Sequence, residues 1–164
     1  MILLLGFSGR TTRARTNVFP QKCSFARLRD VVSSGAMKLD HVVICVSDFR
    51  RANTFYRDVL GVEMVEIDGR VAYRIGEQQL NVHGPGVRPA MVARVPVGPG
   101  NSDLCFQWDG PIAGAVEHLR IHGVPIEAGP MSRGGRRGRG TSVYFRDPDG
   151  SLLEFISYEA SLPR

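Results

Sequence analysis

Two stretches of this chain alternate apolar and polar residues with a period of two. In Asp40-His-Val-Val-Ile-Cys-Val46, residues Val42, Ile44 and Val46 make one face, and His41, Val43 and Cys45 make the other. In Ser102-Asp-Leu-Cys-Phe-Gln-Trp108, the apolar face is Leu104, Phe106 and Trp108, opposite Asp103, Cys105 and Gln107. A period of two belongs to a strand, whose successive side chains point to opposite sides. The stretches superpose at an offset of 62 residues, which places His41 on Asp103.

Each strand leads into a helical pattern. The first follows Asp48, a good N-cap residue. It carries Ala52, Phe55, Tyr56 and Val59 at one-faced helical spacing and stops at Gly61, suited to a left-handed C-terminal position. The second starts at Gly110-Pro111, with Pro at the first helical position. It carries Ile112, Ala115, Val116 and Leu119 and stops at Gly123. Its stripe is offset by 60 and its end by 62, which predicts a second helix about two residues longer. Three strand-like segments follow each helix, near residues 62–67, 71–75 and 79–83, and near 126–128, 142–146 and 152–158. Asp68-Gly69, Gly76-Glu77 and Asp147-Pro-Asp-Gly150 mark the turns. Residues 84–101 hold Pro85, Pro89, Pro96 and Pro99 among glycines and read as a crossover. The pattern is α+β: paired βαβββ modules, 38–83 and 102–160, forming a cupped eight-stranded mixed sheet with helices outside.

Charge narrows the partners. The net +5 sits in residues 1–36, where six basic residues face Asp30 alone; residues 37–164 carry fifteen of each sign. The folded part therefore has no overall electrostatic reason to bind nucleic acid. One local exception is Arg133-Gly-Gly-Arg136-Arg137-Gly-Arg139. It reads as a Gly-rich loop between strands, either solvated and flexible or a lid that attracts anions such as phosphate. No apolar run approaches the roughly 20 residues of a membrane span. Three cysteines without a Cys-x-x-Cys pair fit a reducing compartment, here the cytoplasm. Residues 1–36 have three readings: an organelle transit peptide, which would mean import, a secretory signal, or a start placed upstream of Met37. Under each, the segment is expected to be disordered and outside the core.

The polar faces carry the candidate chemistry. One side of each half-sheet needs its helix as cover; the other presents His, Asp, Asn, Gln and Glu, so two half-sheets can enclose a polar-lined cavity. Glu154 interrupts the apolar run Leu152-Leu-Glu-Phe-Ile-Ser-Tyr158, and an ionised Glu there is costly unless paired or metal-bound. Its counterpart in the first copy is Asn81, and His83 shares the face of Asn81. Imidazole and carboxylate together suit a divalent ion such as Zn, Ni, Mn or Fe. Tyr144 and Arg146 share a face: they either hold an anionic substrate, or Arg146 makes a plain salt bridge. Cys45 and Cys105 read as small core residues ahead of cavity thiols. His118 and His122, four apart but off the apolar stripe, read as solvated surface.

Leu39-Asp-His-Val-Val-Ile-Cys-Val-Ser-Asp48, followed by Ala52-Asn-Thr-Phe-Tyr-Arg-Asp-Val-Leu-Gly61, resembles the opening of vicinal-oxygen-chelate proteins. This is the superfamily of glyoxalases, fosfomycin-resistance proteins and ring-cleaving dioxygenases. Tyr144-Phe-Arg-Asp-Pro-Asp-Gly-Ser-Leu-Leu-Glu154 resembles their closing motif, and the likeness covers nearly all of residues 38–158. Leu80-Asn-Val-His83, Ser102-Asp-Leu-Cys-Phe106 and Val124-Pro-Ile-Glu-Ala-Gly-Pro130 are similar to the glyoxalase-domain-containing, virulence-protein-like subgroup. The resemblance implies metal ligands on the first and last strands of each copy: His41, Asp103 and Glu154, with His83 as an alternative second imidazole. It implies Glu154 as catalytic base, and Asn81, His83, Tyr144 and Arg146 against the substrate. Glyoxalase I would carry a second His or Gln and two Glu; the fosfomycin-transferase and extradiol patterns would carry His where Asp103 stands. The implied activity is a metal-dependent glyoxalase-like lyase or isomerase acting on a small carbonyl or vicinal-oxygen substrate, in a homodimer. The alternatives are a ferrous ring-cleaving dioxygenase and a non-enzymatic antibiotic-binding protein.

Overall fold

The computed structural model describes residues 38–159, so the expectations for residues 1–36 and for residue 160 lie outside the described residues. The first copy is β1 (His41–Cys45), α1 (Phe49–Leu60), β2 (Glu63–Ile67), β3 (Arg70–Ile75) and β4 (Gln78–His83). The second is β5 (Asp103–Gln107), α2 (Ile112–Ile121), β6 (Ala128–Gly135), β7 (Gly138–Arg146) and β8 (Leu152–Ser157). The eight strands divide into two four-stranded sheets of the same order, β1-β4-β3-β2 and β5-β8-β7-β6. In each, the first and last strands of the copy pair in parallel and the other neighbours are antiparallel.

α1 forms where its stripe and caps predict. The Asp48 side chain accepts from the Arg51 amide, and Gly61 closes the helix at φ 65. α2 differs: it has 10 residues against 12 in α1, so it is shorter, not longer. Pro111 stays in extended backbone (φ −62, ψ 145) as the cap, and His122 already ends the helix before Gly123.

A larger difference lies in the arginine–glycine stretch. It is not a loop: β6 and β7 run through it as a hairpin that turns at Arg136 and Arg137. Glycines give no alternation signal, so this pairing is set by the ladder with β8, not by local pattern.

The core sits between the apolar sheet faces and the helices. One cluster joins Ile44, Val46, Tyr56, Tyr73 and Val82; the other joins Leu119, Val143, Phe145, Leu153 and Phe155. Phe55, Leu60, Leu104 and Phe106 pack against both, making the interior of the two copies continuous. Tyr56 and Tyr73 stack at 4.8 Å, a contact worth about 1 kcal/mol beyond burial. His118 is not a solvated residue. Its Nε2–H donates to the Val59 carbonyl at 2.8 Å and its ring lies 5.3 Å from that of Trp108. A carbonyl in the last turn of α1 has no partner within the helix, and His118 supplies one from α2.

The turn between β7 and β8 locks the second copy onto the first helix. The buried Asp147 accepts from the Tyr56 hydroxyl at 3.1 Å and from the amides of Asp149 and Ser151 at 2.9 and 2.8 Å. Burial and the adjacent Asp147 charge push the Tyr56 phenol well above its ordinary range, so it stays a donor. Asp149 accepts from the Ser47 amide and hydroxyl and pairs with Arg51. Burial alone would raise the Asp149 carboxyl, but these three donors outweigh it and hold the group below the usual carboxylate range. A carboxyl lowered by folding contributes stability above its unfolded value, near about pH 4, and loses it as pH falls through the folded value. Denaturant midpoints are therefore expected to fall more steeply below about pH 4 in the parent chain than in Asp149→Asn. Parallel curves would remove this contribution.

Candidate functional site

Strand alternation leaves each half-sheet with one face turned away from the core. On the first, His41, Val43 and Cys45 of β1 stand beside Gln79, Asn81 and His83 of β4. On the second, Cys105 stands beside Glu154, Asp103 beside Leu152, and Tyr144 of β7 directly across from Glu154. Val43 pairs with Asn81 as Cys105 pairs with Glu154. The offset of 62 maps Val43 onto Cys105. Asn81 and Glu154 thus occupy matching places, as do His41 and Asp103.

The first face holds a hollow of about 420 Å³ lined by His41, Ile67, Arg70, Ala72, Asn81 and His83, with the rest of its lining from the same copy. The His41 Nδ1–H donates to Asp40 at 2.7 Å. A carboxylate only accepts, so Nδ1 carries the hydrogen, and in the neutral ring Nε2 is the nitrogen left for a ligand. The Asn81 side-chain oxygen accepts from Gln79 at 2.6 Å. His83 stands across from Cys45, whereas His41 stands across from Gln79. Four strand residues separate the two positions, about 13 Å, so His83 is no second imidazole for an ion at His41 on this face.

On the second face the Cys105 thiol stands beside Glu154 across the β5–β8 ladder. Burial first, then the Glu154 and Asp103 charges, push it up to about 12. It is therefore a protonated thiol at neutral pH, not a nucleophile. Both described cysteines lie on these open faces, not in the core as read from their size: alternation on β1 and β5 assigns the core side to Ile44, Leu104 and Phe106. Arg146 is held by Glu127 at 2.5 and 2.6 Å and by the Gly150 carbonyl. Arg74, at the equivalent position, faces Glu63 at 3.8 Å. The repeat thus gives Arg146 the salt-bridge reading over the substrate one.

His41, Asp103 and Glu154 have the donor chemistry of a divalent site. Yet no three His, Cys, Asp or Glu of one chain stand together in a group able to hold a metal ion, among the described residues. The imidazole is on one half-sheet and the carboxylates on the other.

A family profile described as the glyoxalase/bleomycin resistance protein/dioxygenase superfamily matches residues 38–155. The chain belongs to this superfamily. Among curated relatives of this superfamily member, the glyoxalase domain-containing protein RDO1 of Mycosarcoma maydis is 41% identical over 122 residues, 74% of this chain and 68% of that protein. The virulence protein STM3117 of Salmonella typhimurium is 38% identical over 122 residues, 74% of this chain and 84% of that protein. Its crystal structure superposes with a TM-score of 0.71 at 37% identity, covering 75% and 98% of the two chains. The lactoylglutathione lyase of Agrobacterium tumefaciens superposes with a TM-score of 0.55 at 26% identity, covering 74% and 93%. Among the described residues of this superfamily member, no helix is long and apolar enough to cross a membrane.

Sequence reasoning passed over Cys105 as a partner of Glu154. The signal was available, because Cys105 sits between Asp103 and Gln107 on the polar side of the alternation.

Proposed function

We propose that this chain is a homodimeric, metal-dependent lyase or isomerase of the glyoxalase type, acting on a small carbonyl or vicinal-oxygen substrate. The observation that carries this reading is the separation of the donors. His41 stands ready on one open face and Glu154 and Asp103 on the other, with no complete set in one chain among the described residues. In a two-fold dimer, the first face of one protomer meets the second face of its partner, and each of two sites receives one imidazole and two carboxylates. A divalent ion held there supplies Lewis-acid stabilisation of a developing oxyanion.

The chain's own residues do the rest. Asp40 holds Nδ1 of His41 and leaves Nε2 as the ligating nitrogen. Glu154 moves a proton between adjacent substrate carbons. Cys105, its neighbour across the ladder, borders the Glu154 carboxylate. Tyr144, directly across the ladder, borders the substrate, as do Asn81 and His83 from the other face. The two-histidine, one-carboxylate set of ferrous oxygenases is disfavoured by the distance between His41 and His83 and by Asp103 standing where that pattern carries His. Likeness to a lactoylglutathione lyase at 26% identity supports the lyase reading.

Elemental analysis tests this. Reconstituted protein is expected to hold about one divalent ion per chain. His41→Ala and Glu154→Ala are each expected to lose nearly all of it with an unchanged circular dichroism spectrum. Loss of a hemithioacetal should depend on the same ion. Parent protein that holds no ion after reconstitution, or either variant with full stoichiometry, ends the reading for the site or for that residue.

A further inference from the structure

Near its tip the β6–β7 hairpin carries four arginines, at positions 133, 136, 137 and 139, and no acid between them. Among the described residues none of the four is in an ion pair. Outside these four, residues 37–164 hold eleven basic residues against fifteen acidic ones. The hairpin is therefore an isolated cationic element on an otherwise acidic domain.

Two of the arginines are directed onto the face of Glu154. The β6–β7 register places Arg133 beside Gly140 and Met131 beside Ser142, in the row that continues to Tyr144. The Arg133 Nε–H donates to the Tyr144 hydroxyl at 3.1 Å, and its guanidinium carbon lies 5.7 Å from that ring's centre. The Arg137 guanidinium carbon lies 5.3 Å from the centre of the Tyr158 ring, and the Arg137 amide donates to the Tyr158 hydroxyl at 3.3 Å. Arg139 points to the other side and donates to Ser132, and Arg136 is exposed at the turn.

Glycines make this approach possible. A Cβ on Gly135 would stand 2.1 Å from the Tyr158 hydroxyl and 2.8 Å from Ile156 Cδ1; one on Gly140 would stand 2.7 Å from the Ser157 carbonyl oxygen. Any side chain at either position would lift the hairpin off the face. In the same row, Ser142 is fully buried, and its hydroxyl is the one buried side-chain polar atom without a hydrogen-bond partner among the described residues.

We propose that Arg133 and Arg137, braced on Tyr144 and Tyr158, form a subsite for an anionic group of the substrate: a phosphate, phosphonate or carboxylate. This rests on the site reading above and adds a substrate class to it. Cation–π contact holds both guanidinium groups, and the Tyr144 hydroxyl holds that of Arg133, without neutralising them, so an oxyanion finds preorganised forked donors. Tyr144 is the direct cross-strand neighbour of Glu154, and Tyr158 lies four residues on from Glu154, just past the end of β8. The subsite therefore lies about 5 Å from the proton-transfer carboxylate at its Tyr144 end and about 13 Å from it at its Tyr158 end, a spacing that suits a small molecule with reacting carbons at one end and charge at the other. A polyanion such as nucleic acid would call for a broad basic surface, and the acidic remainder of the domain opposes it.

The test titrates full-length, metal-free protein carrying ring-labelled tyrosine with inorganic phosphate, with acetate, and with a short single-stranded oligonucleotide. Phosphate is expected to shift the Tyr144 and Tyr158 resonances saturably and leave Tyr56 and Tyr73 in place. Phosphate tighter than acetate assigns a phosphoryl or phosphonyl group; acetate at least as tight assigns a carboxylate. Arg133→Gln with Arg137→Gln should weaken binding about tenfold or more, whereas Arg136→Gln with Arg139→Gln should change it less than about twofold. Phosphate binding should persist in His41→Ala and Glu154→Ala, so loss of the metal site and loss of the anion site are read separately. Absent saturation with both small anions, equal weakening in both arginine pairs, or an oligonucleotide that binds more tightly than either and depends on all four arginines alike would each overturn the proposal.

Discussion

Mixing the His41→Ala and Glu154→Ala chains, each unable to hold metal alone, is expected to restore metal binding. The reason is geometric. If each site takes His41 from one protomer and Glu154 from its partner, a mixed dimer contains one site with both losses and one with neither. Statistical reassortment makes about half of the dimers mixed, so the mixture should regain about a quarter of the parent metal content. Hemithioacetal turnover should return in the same proportion. Sites built within single chains predict no recovery at all, because every chain in the mixture lacks one ligand. The outcome is thus nearly all-or-none and needs no assumption about which ion is bound. It is measured by dissociating and reassociating the two variants, then comparing metal content before and after. A mixture that stays empty while the parent chain reassociates with its metal would rule out the shared site.

The alternation in residues 40–46 and 102–108 fixed more than two strands. The offset of 62 matched His41 with Asp103, and the distance from the preceding glycine turn matched Asn81 with Glu154; the parallel ladders β1–β4 and β5–β8 give both pairs equivalent places. That much was legible because side-chain direction in a strand follows from parity alone. Three features were not. The hairpin through the arginine–glycine stretch has no periodic side chains, and its strands form because β8 offers an edge for β7. The length of α2 was misjudged because Pro111 suits both the first helical position and the position before it. The division of the donors between two sheets could not be read at all, since parity says which face a side chain shares within a sheet and nothing about where a second sheet faces. Asp147 was legible only as a turn residue; its contact with Tyr56, 91 positions away, is a product of packing.

That contact gives the largest expected loss of stability. Asp147→Ala should destabilise the domain by about 3 kcal/mol, because it strands one phenol and two backbone amides that are shielded from water. For a domain of this size the melting temperature would drop by roughly 10 °C. Tyr56→Phe removes only the donor and leaves Asp147 two amides to accept from, so its cost should be about 1 kcal/mol. The two changes share a partner and should not add: in the double variant the phenol no longer exists to be stranded, so the sum of the single losses exceeds the double loss. Asp147→Asn, which keeps an acceptor oxygen, should fall between the parent and Asp147→Ala. Thermal and urea unfolding of the parent and the four variants measure this directly. An Asp147→Ala chain that melts within about 2 °C of the parent would mean that water reaches the three donors once the carboxylate is gone. The turn would then be a connection between the copies and not the lock between them.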